Sequence, residues 1–160
     1  MSIAVSMVMC RDDGALELAD FQRELSSAWP DLPPITDPQQ KEDVYSLQVG
    51  PAMVFLAKMP APIPWGDLEG PCQTSVLWQN AAEEVKQHQV HWIVTVNHEA
   101  DPLELSTLLT KATNAVLAAC PSAIGVYWGN ATLIVPKQIF SEFATKIMPE
   151  GPPLYIWLDF

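Results

Sequence analysis

The chain has 160 residues, of which 49% are hydrophobic and only 17% are charged. A chain of this length is most simply one domain, and its apolar content suffices for a full core, which excludes wholesale disorder. Nineteen acidic residues against eight basic ones give a formal net charge of −11. Because phosphate contacts require clustered lysine and arginine, this charge argues against nucleic-acid binding and favours a basic partner. The alternative is that the charge merely keeps an apolar domain soluble.

The cysteines and the apolar runs indicate the compartment. Cys10, Cys72 and Cys120 are widely separated and form no CxxC pair, and their odd number argues against a disulfide framework. We therefore expect buried thiols in a reducing compartment. The apolar run Ile3 to Met9 lacks a basic leader, and no run approaches the ~20 residues of a membrane span. These features predict a cytoplasmic protein that does not bind membranes.

In the first half of the chain, apolar runs surround one amphipathic helix pattern. Ile3 to Met9 is consistent with a strand buried on both faces. Between Ala15 and Trp29, apolar residues recur at helical spacing, and Pro30 ends that helix. The proline-rich, polar segment 30–43 predicts a loop. A hairpin is then predicted from Val44–Val49 and Ala52–Met59, which Gly50 and Pro51 separate.

The segment Met59–Asp67 is the most unusual in the chain. Its three prolines, Pro60, Pro62 and Pro64, fix φ and remove three backbone donors. Such a segment fits neither a helix interior nor a central strand. We expect a stiff connector that positions Trp65.

In the second half of the chain, a helix is predicted over Ser75 to His88 and a strand over Val90 to Asn97. Asp101 as N-cap, with Pro102 and Glu104 after it, predicts a helix start, and that helix extends to Ala119. The remaining predictions are a hairpin of Ile124–Trp128 with Thr132–Val135, a helix over Lys137–Met148 and a final strand over Leu154–Phe160.

This order of elements, βαββα, βαββα, β, predicts a single α+β domain over residues 1–160. Helices are expected to pack on an antiparallel or mixed sheet of the split βαβ kind. They should cover one face of a single sheet, or one face of each of two sheets. Because residues 1–89 and 90–160 follow the same plan, we also consider an internal pseudo-repeat of duplicated βαββα units.

The residue types that carry catalysis form no recognisable constellation. His88, His91 and His98 cluster in sequence, but an extended strand would carry His98 roughly 20 Å from the others. No converging carboxylate for a metal, no GxSxG elbow and no glycine-rich phosphate loop can be identified. We therefore predict no catalytic residue, no metal and no cofactor, and hence no enzyme. The alternative is a small hydrolase or metal-dependent enzyme that uses His88 and His91.

Aromatic residues near acidic ones indicate a different kind of site. Trp65 lies beside Asp67 and Glu69, while Trp128 precedes the Gly129-Asn130 turn. Tryptophan near loops, surrounded by acids, is typical of protein-interface hot spots. The alternative is that both tryptophans cap the core. The predicted partner-binding residues are Trp65, Asp67, Glu69, Asp12, Asp13 and Trp128.

Five segments distributed over nearly the whole chain resemble a bacterial family classed only as a domain of unknown function. They are Met59–Trp65, Trp78, the HxxHWIVT pattern from His88, the GVYWG pattern from Gly125 and the PLxxW pattern from Pro153. That family carries no established catalytic residues, so the resemblance implies none here. In size and charge, but not in motif, the chain is also similar to immunity proteins that accompany secreted bacterial toxins.

The leading functional prediction is a cytoplasmic protein that binds and inhibits a basic protein. In its specific form this is an immunity protein, which occludes a toxin such as a nuclease of a contact-dependent (type VI) secretion system. Acidic side chains would take the place of phosphates in the basic cleft of the toxin, with Trp65 or Trp128 as anchor. A structural, self-associating module is a third possibility, and the oligomeric state stays open.

Overall fold

The computed structural model of the protein describes residues 2–157, except for the side chain of Asn130. Within this range, seven strands form one antiparallel sheet in the order β2-β3-β4-β5-β1-β6-β7. The strands are β1 (Ile3–Cys10), β2 (Ile35–Lys41), β3 (Val44–Val49), β4 (Ala52–Met59), β5 (Val90–Asn97), β6 (Ala123–Trp128) and β7 (Leu133–Pro136). The helices are α1 (Leu18–Ala28), α2 (Trp65–Thr74), α3 (Ala81–Val85), α4 (Pro102–Ala119), α5 (Lys137–Glu142) and α6 (Leu154–Trp157). The predicted α+β class is confirmed.

The main core lies between the sheet and the helices α1, α4 and α5. Alternate residues of β1, β3, β4 and β5 point into it, as a period of two requires, and Val8, Val54 and Val94 are fully buried. Helix α4 lies along the central strands β1 and β5 and begins as the sequence predicts. The Asp101 carboxylate accepts a hydrogen bond from the Glu104 N–H at 2.8 Å, which satisfies a donor at the helix N-terminus.

The opposite face of the sheet carries a second, smaller core. Helices α2 and α3 pack over the β1, β6 and β7 side of this face, where Leu68, Trp78 and Val85 bury Met9 and Ile134. The expectation that all helices share one face of a sheet is therefore wrong. The proline connector explains the difference, because it carries the chain from the end of β4 across the second face, where Ile63 is buried.

The predicted loop over residues 30–43 contains β2, an edge strand. The polar sequence of β2 and its Pro38 do not predict a strand, because proline cannot donate a hydrogen bond to a ladder and is confined to edges or bulges. The pairing with β3 is interrupted between Thr36 and Gln39, where Asp37 has φ of 52°. The irregularity leaves Pro38 out of the ladder.

The helix predicted over Ser75 to His88 is also wrong in its extent. The chain becomes helical earlier, at Trp65 immediately after Pro64, so the stiff connector is shorter than predicted. Helix α2 contains Pro71, which removes one internal donor, and it ends at Thr74. Only α3 remains of the predicted helix, and Asn80 precedes it in the left-handed conformation with φ of 59°.

The predicted final strand is a short helix where the structure describes it. Pro152 and Pro153 precede Leu154, and proline favours the first turn of a helix because its φ is already suitable. Ile156 is fully buried in the main core, and the Trp157 indole N–H donates to the Thr110 hydroxyl at 2.8 Å. Residues 158–160 of the predicted strand lie outside the described residues.

The two halves of the chain differ in their elements. Residues 1–89 contain β1, α1, β2, β3, β4, α2 and α3, whereas the described residues from 90 onwards contain β5, α4, β6, β7, α5 and α6. The connection β5–α4–β6 is a split βαβ unit, since β1 lies between two parallel strands. The first hairpin, β3–β4, pairs with β5 through its second strand, β4. The second hairpin, β6–β7, pairs with β1 through its first strand, β6. The helices that follow them lie on opposite faces of the sheet. The edge strand β2 has no counterpart among the described residues from 90 onwards, and the pseudo-repeat stays a prediction.

Between residues 2 and 157, none of the helices combines the length and the apolar character that crossing a bilayer requires.

Candidate protein-binding surface

One part of the second sheet face stays partly exposed. The pairing of β1, β5, β4 and β3 places residues in rows across these four strands. In the central row, Val5 lies opposite Thr95, Thr95 opposite Phe55, and Phe55 opposite Ser46. Two further rows flank this one. We call the twelve residues of the three rows the open sheet face: Ile3, Val5, Met7, Val44, Ser46, Gln48, Met53, Phe55, Ala57, Ile93, Thr95 and Asn97.

The open sheet face carries no charge. Eight of its twelve residues are apolar and four are neutral and polar. Ile3 is 58% exposed and Val44 is 47% exposed, while the central residues shield one another and are half-buried. On the edge strand β2, Lys41 lies opposite Val44 and is the first charged residue that continues one of the rows. From a strand spacing of ~4.8 Å and a rise of ~3.4 Å per residue, the area is about 400 Å². Apolar patches of this size on monomers are often functional.

Helix α2 lies on the same side of the sheet as the open sheet face. Both Met7, at the margin of that face, and Trp65, at the start of α2, pack against the second core. Trp65 is half-buried, and the Lys86 ammonium lies 4.5 Å from the centre of its ring. Asp67 and Glu69 are exposed on the same helix, and Asp67 lies in the first turn, where a carboxylate is favourable. Three of the predicted contact residues, Trp65, Asp67 and Glu69, thus lie on one helix on the same side of the sheet as the open sheet face.

The other three predicted contacts lie elsewhere. Trp128 is only 2% exposed and packs against Phe140 with ring centres 6.0 Å apart, so it belongs to the main core. Its prediction as a surface anchor is wrong, because β6 points the indole towards α5. Asp12 and Asp13 are exposed but follow Cys10, at the opposite end of β1 from Ile3. Asp12 lines a separate cleft of about 480 Å³, together with Trp78 of the α2–α3 side.

The buried histidines hold the proline connector in place. The Ile63 N–H donates to His88 Nε2 at 2.9 Å, while the Nδ1–H of His88 donates to the Val85 carbonyl. His91 Nδ1 donates to the Ala61 carbonyl at 2.8 Å. Burial, as the largest effect, lowers the pKa of both His88 and His91. Both rings are therefore held as neutral hydrogen-bonding groups of the second core.

The surroundings of these histidines do not resemble a metal site. Among residues 2–157, no group of three or more His, Cys, Asp or Glu side chains is arranged to hold a metal ion. His98 lies at the far end of β5, where its N–H donates to the Ser2 carbonyl at 3.0 Å. The role of His88 and His91 depends on backbone groups about 25 to 30 residues away, which no local pattern reveals.

Sequence reasoning missed the open sheet face because it interpreted Ile3 to Met9 as a strand buried on both faces. The signal is the apolar run itself, since Ile3, Val5 and Met7 alternate with core residues of the same strand. Whether such a second face is covered depends on where the connector and α2 pack, which is not a local property of β1.

Comparison of the chain with protein-family models, curated proteins and solved structures gave no match. The resemblance to a bacterial family of unknown function stays a prediction that these comparisons do not test.

Proposed function

We propose that this protein binds a basic protein partner, with the open sheet face as the apolar centre of the contact and α2 as its acidic margin. The observation that carries the proposal is a partly exposed, uncharged sheet surface with the acidic helix α2 on the same side of the sheet, in a chain of net charge −11. Binding interfaces combine a desolvated centre with a polar margin in this way.

The binding free energy that the open sheet face can supply indicates that the partner must also contact the acidic residues of α2. Even if all of the about 400 Å² were apolar, its burial at ~25 cal/mol/Å² would contribute at most about 10 kcal/mol, while association costs an estimated 4–15 kcal/mol in lost freedom. The open sheet face alone therefore gives little net affinity. Charge attraction from the α2 side raises the association rate and selects a partner of opposite sign.

Charge favours a basic partner over a second copy of the chain. Two copies would each bring a net charge of −11 to the contact. The open sheet face also supplies only about half of the ~800 Å² per partner of a standard stable interface. A basic partner gains attraction where a second copy meets repulsion.

An inhibitory role is the specific form of this proposal. A partner held in this way would have its basic surface occluded, as an immunity protein occludes a toxin such as a secreted nuclease. On this proposal the protein acts by binding in the cytoplasm, without catalysis and without a cofactor.

The test uses Thr95, a half-buried polar residue at the centre of the open sheet face. Thr95→Glu places a charge there without deleting core volume. The matched control is Val76→Glu, because Val76 is 81% exposed and lies outside the open sheet face. The probe is a purified basic protein that co-purifies with this chain, with binding followed by calorimetry.

Thr95→Glu should weaken binding at least tenfold while Val76→Glu leaves it unchanged, with circular dichroism confirming that both variants are folded. Equal affinities for the two variants would overturn the proposal. Light scattering tests the alternative that a second copy of the chain binds the open sheet face. A stable dimer of the chain alone that is lost in Thr95→Glu would assign this face to self-association.

A further inference from the structure

Cys10 and Cys120 are 110 residues apart in sequence but meet inside the main core. Cys10 ends β1 and Cys120 follows the last turn of α4, and both residues are fully buried. Their sulfur atoms lie 3.6 Å apart, in direct contact. The third cysteine, Cys72, is half-buried on α2 and packs against the second core, so it belongs to a different part of the molecule.

We propose that Cys10 and Cys120 form a reversible oxidation site, which closes to an intramolecular disulfide on exposure to a peroxide. A disulfide has an S–S distance of ~2.05 Å, so the two sulfur atoms must approach by about 1.5 Å. Because the sulfurs already touch, this approach is of the size that side-chain rotations provide. The bond would join β1 directly to the end of α4.

The surroundings assign different roles to the two thiols. The Cys10 S–H and the Ser122 hydroxyl, 3.7 Å away, are placed to donate to the Cys120 sulfur. These contacts, together with the charge of Lys137, lower the pKa of Cys120, whereas the thiol contact and burial raise that of Cys10. Since Ser122 contacts the Cys120 sulfur and also lines the neighbouring cleft, we assign the first attack to Cys120 and the resolving role to Cys10.

A cleft lies beside this pair, separated from the Cys120 sulfur by Ser122. Ser122, which contacts the Cys120 sulfur, also lines the cleft of about 480 Å³ together with Arg11 and Lys137. The Lys137 ammonium lies 3.5 Å from the Cys120 carbonyl, at the same junction. Hydrogen peroxide is scarcely larger than water, so it can enter this cleft. Because both cysteines are fully buried, a displacement of Ser122 is then needed for it to reach the Cys120 sulfur.

The reaction balances with one peroxide per disulfide. The Cys120 thiolate attacks a peroxide oxygen, the O–O bond breaks, and the released hydroxide takes up a proton to leave as water. Cys120 is now a sulfenic acid, oxidised by two electrons. The Cys10 sulfur then attacks the Cys120 sulfur, the S–O bond breaks, and the Cys10 proton leaves with the hydroxyl as a second water.

The experiment treats the folded, full-length protein with hydrogen peroxide and follows it by intact mass and peptide mapping. The expected product has lost two hydrogen atoms and contains a peptide in which Cys10 is joined to Cys120. After denaturation only Cys72 should react with iodoacetamide, and dithiothreitol should restore reaction at all three cysteines. Oxygen addition at Cys72 with Cys10 and Cys120 still reduced would overturn the proposal.

Variants separate the roles of the cysteines. Cys72→Ser is the matched control and should form the disulfide as fast as the natural chain. Cys10→Ala should stop at a Cys120 sulfenic acid that dimedone labels, whereas dimedone labelling at Cys72 alone would refute the assigned order. Because peptide mapping of the natural chain is decisive by itself, a variant that fails to fold leaves the test intact. Intermolecular disulfides through Cys72 in the natural chain, without a Cys10–Cys120 peptide, would also overturn the proposal.

Discussion

His88 accepts a hydrogen bond from the backbone N–H of Ile63, 25 residues earlier in the chain, and so joins the end of α3 to the proline connector. Its Nε2 atom can accept this bond only while it is unprotonated. Protonation of His88 would turn the acceptor into a second donor that faces the Ile63 N–H. The attachment of the connector is therefore sensitive to acid.

The stability of the fold should depend on pH in a defined direction. The pKa of His88 is lowered in the folded protein, mainly by burial, while an unfolded histidine titrates near ~6.5. The stabilising contribution is thus complete above about pH 6.5 and is lost as the pH falls through the folded pKa. The free energy of unfolding, measured by urea titration, should be constant above that pH and then fall by up to ~1.4 kcal/mol per pH unit for each histidine.

His88→Ala should reduce this pH dependence, and His98→Ala is its control because His98 lies apart from the connector. The loss of the imidazole also leaves the Ile63 N–H and the Val85 carbonyl without partners, at a cost of about 1–3 kcal/mol for each buried group. Midpoints that do not change between about pH 8 and pH 5 would contradict the role given to His88.

The two tryptophans once predicted as contacts should respond differently to truncation. Trp128→Ala opens a cavity in the main core and should lower the free energy of unfolding by about 3–5 kcal/mol. Trp65→Ala removes a half-buried ring and its contact with Lys86, an interaction of roughly 0.5–1 kcal/mol at exposed sites. Denaturant titration measures both changes. Similar losses for the two variants would contradict the assignment of Trp128 to the core and Trp65 to the surface.

Gly125 should tolerate no side chain. A β-carbon there would lie 2.5 Å from the Trp78 ring and 2.7 Å from the Val135 carbonyl, and the latter is backbone of the paired strand β7. Gly125→Ala should therefore destabilise the protein and loosen the packing of Trp78. A urea titration followed by tryptophan fluorescence would report the first effect as a lower midpoint and the second as a changed signal of the folded protein. Gly70→Ala is the control, since Gly70 lies in α2 with nothing within 4 Å of an added carbon. Because alanine favours helix over glycine, that variant should gain about 0.5–1 kcal/mol.

Asp67 and Glu69 should act on the rate of association with a basic partner. Removing both charges with Asp67→Asn and Glu69→Gln should slow association and flatten its dependence on salt, with a smaller effect on dissociation. The control is the double change Asp12→Asn and Asp13→Asn, which removes the same charge at the other end of β1. Stopped-flow measurements at two ionic strengths distinguish the pairs, and equal effects would show that only total charge matters.

What sequence could predict here depends on how local the responsible interaction is. The start of α4 was predictable because Asp101, Pro102 and Glu104 satisfy the helix end among themselves. The strand β2 was not, since its pairing with β3 outweighs the unfavourable Pro38. Helix α2 was missed for a similar reason, because Pro71 suggests a break that burial of Leu68 overcomes.

The candidate surface was predictable in part. Asp67 and Glu69 were found from their proximity to Trp65 in the sequence, and the structure places them on one helix. The buried position of Trp128 and the open sheet face depend on which helices cover which side of each strand. That coverage results from the path of the connector, which distant hydrogen bonds from His88 and His91 hold in place.

The irregular β2 has a consequence for behaviour at high concentration. An incoming strand that tried to extend the sheet at this edge would meet Pro38, the turned backbone of Asp37 and the charge of Lys41. Each of these interrupts the continuous row of donors and acceptors on which fibril growth depends. The chain can thus expose an apolar sheet face while the β2 edge offers no template for the addition of further strands.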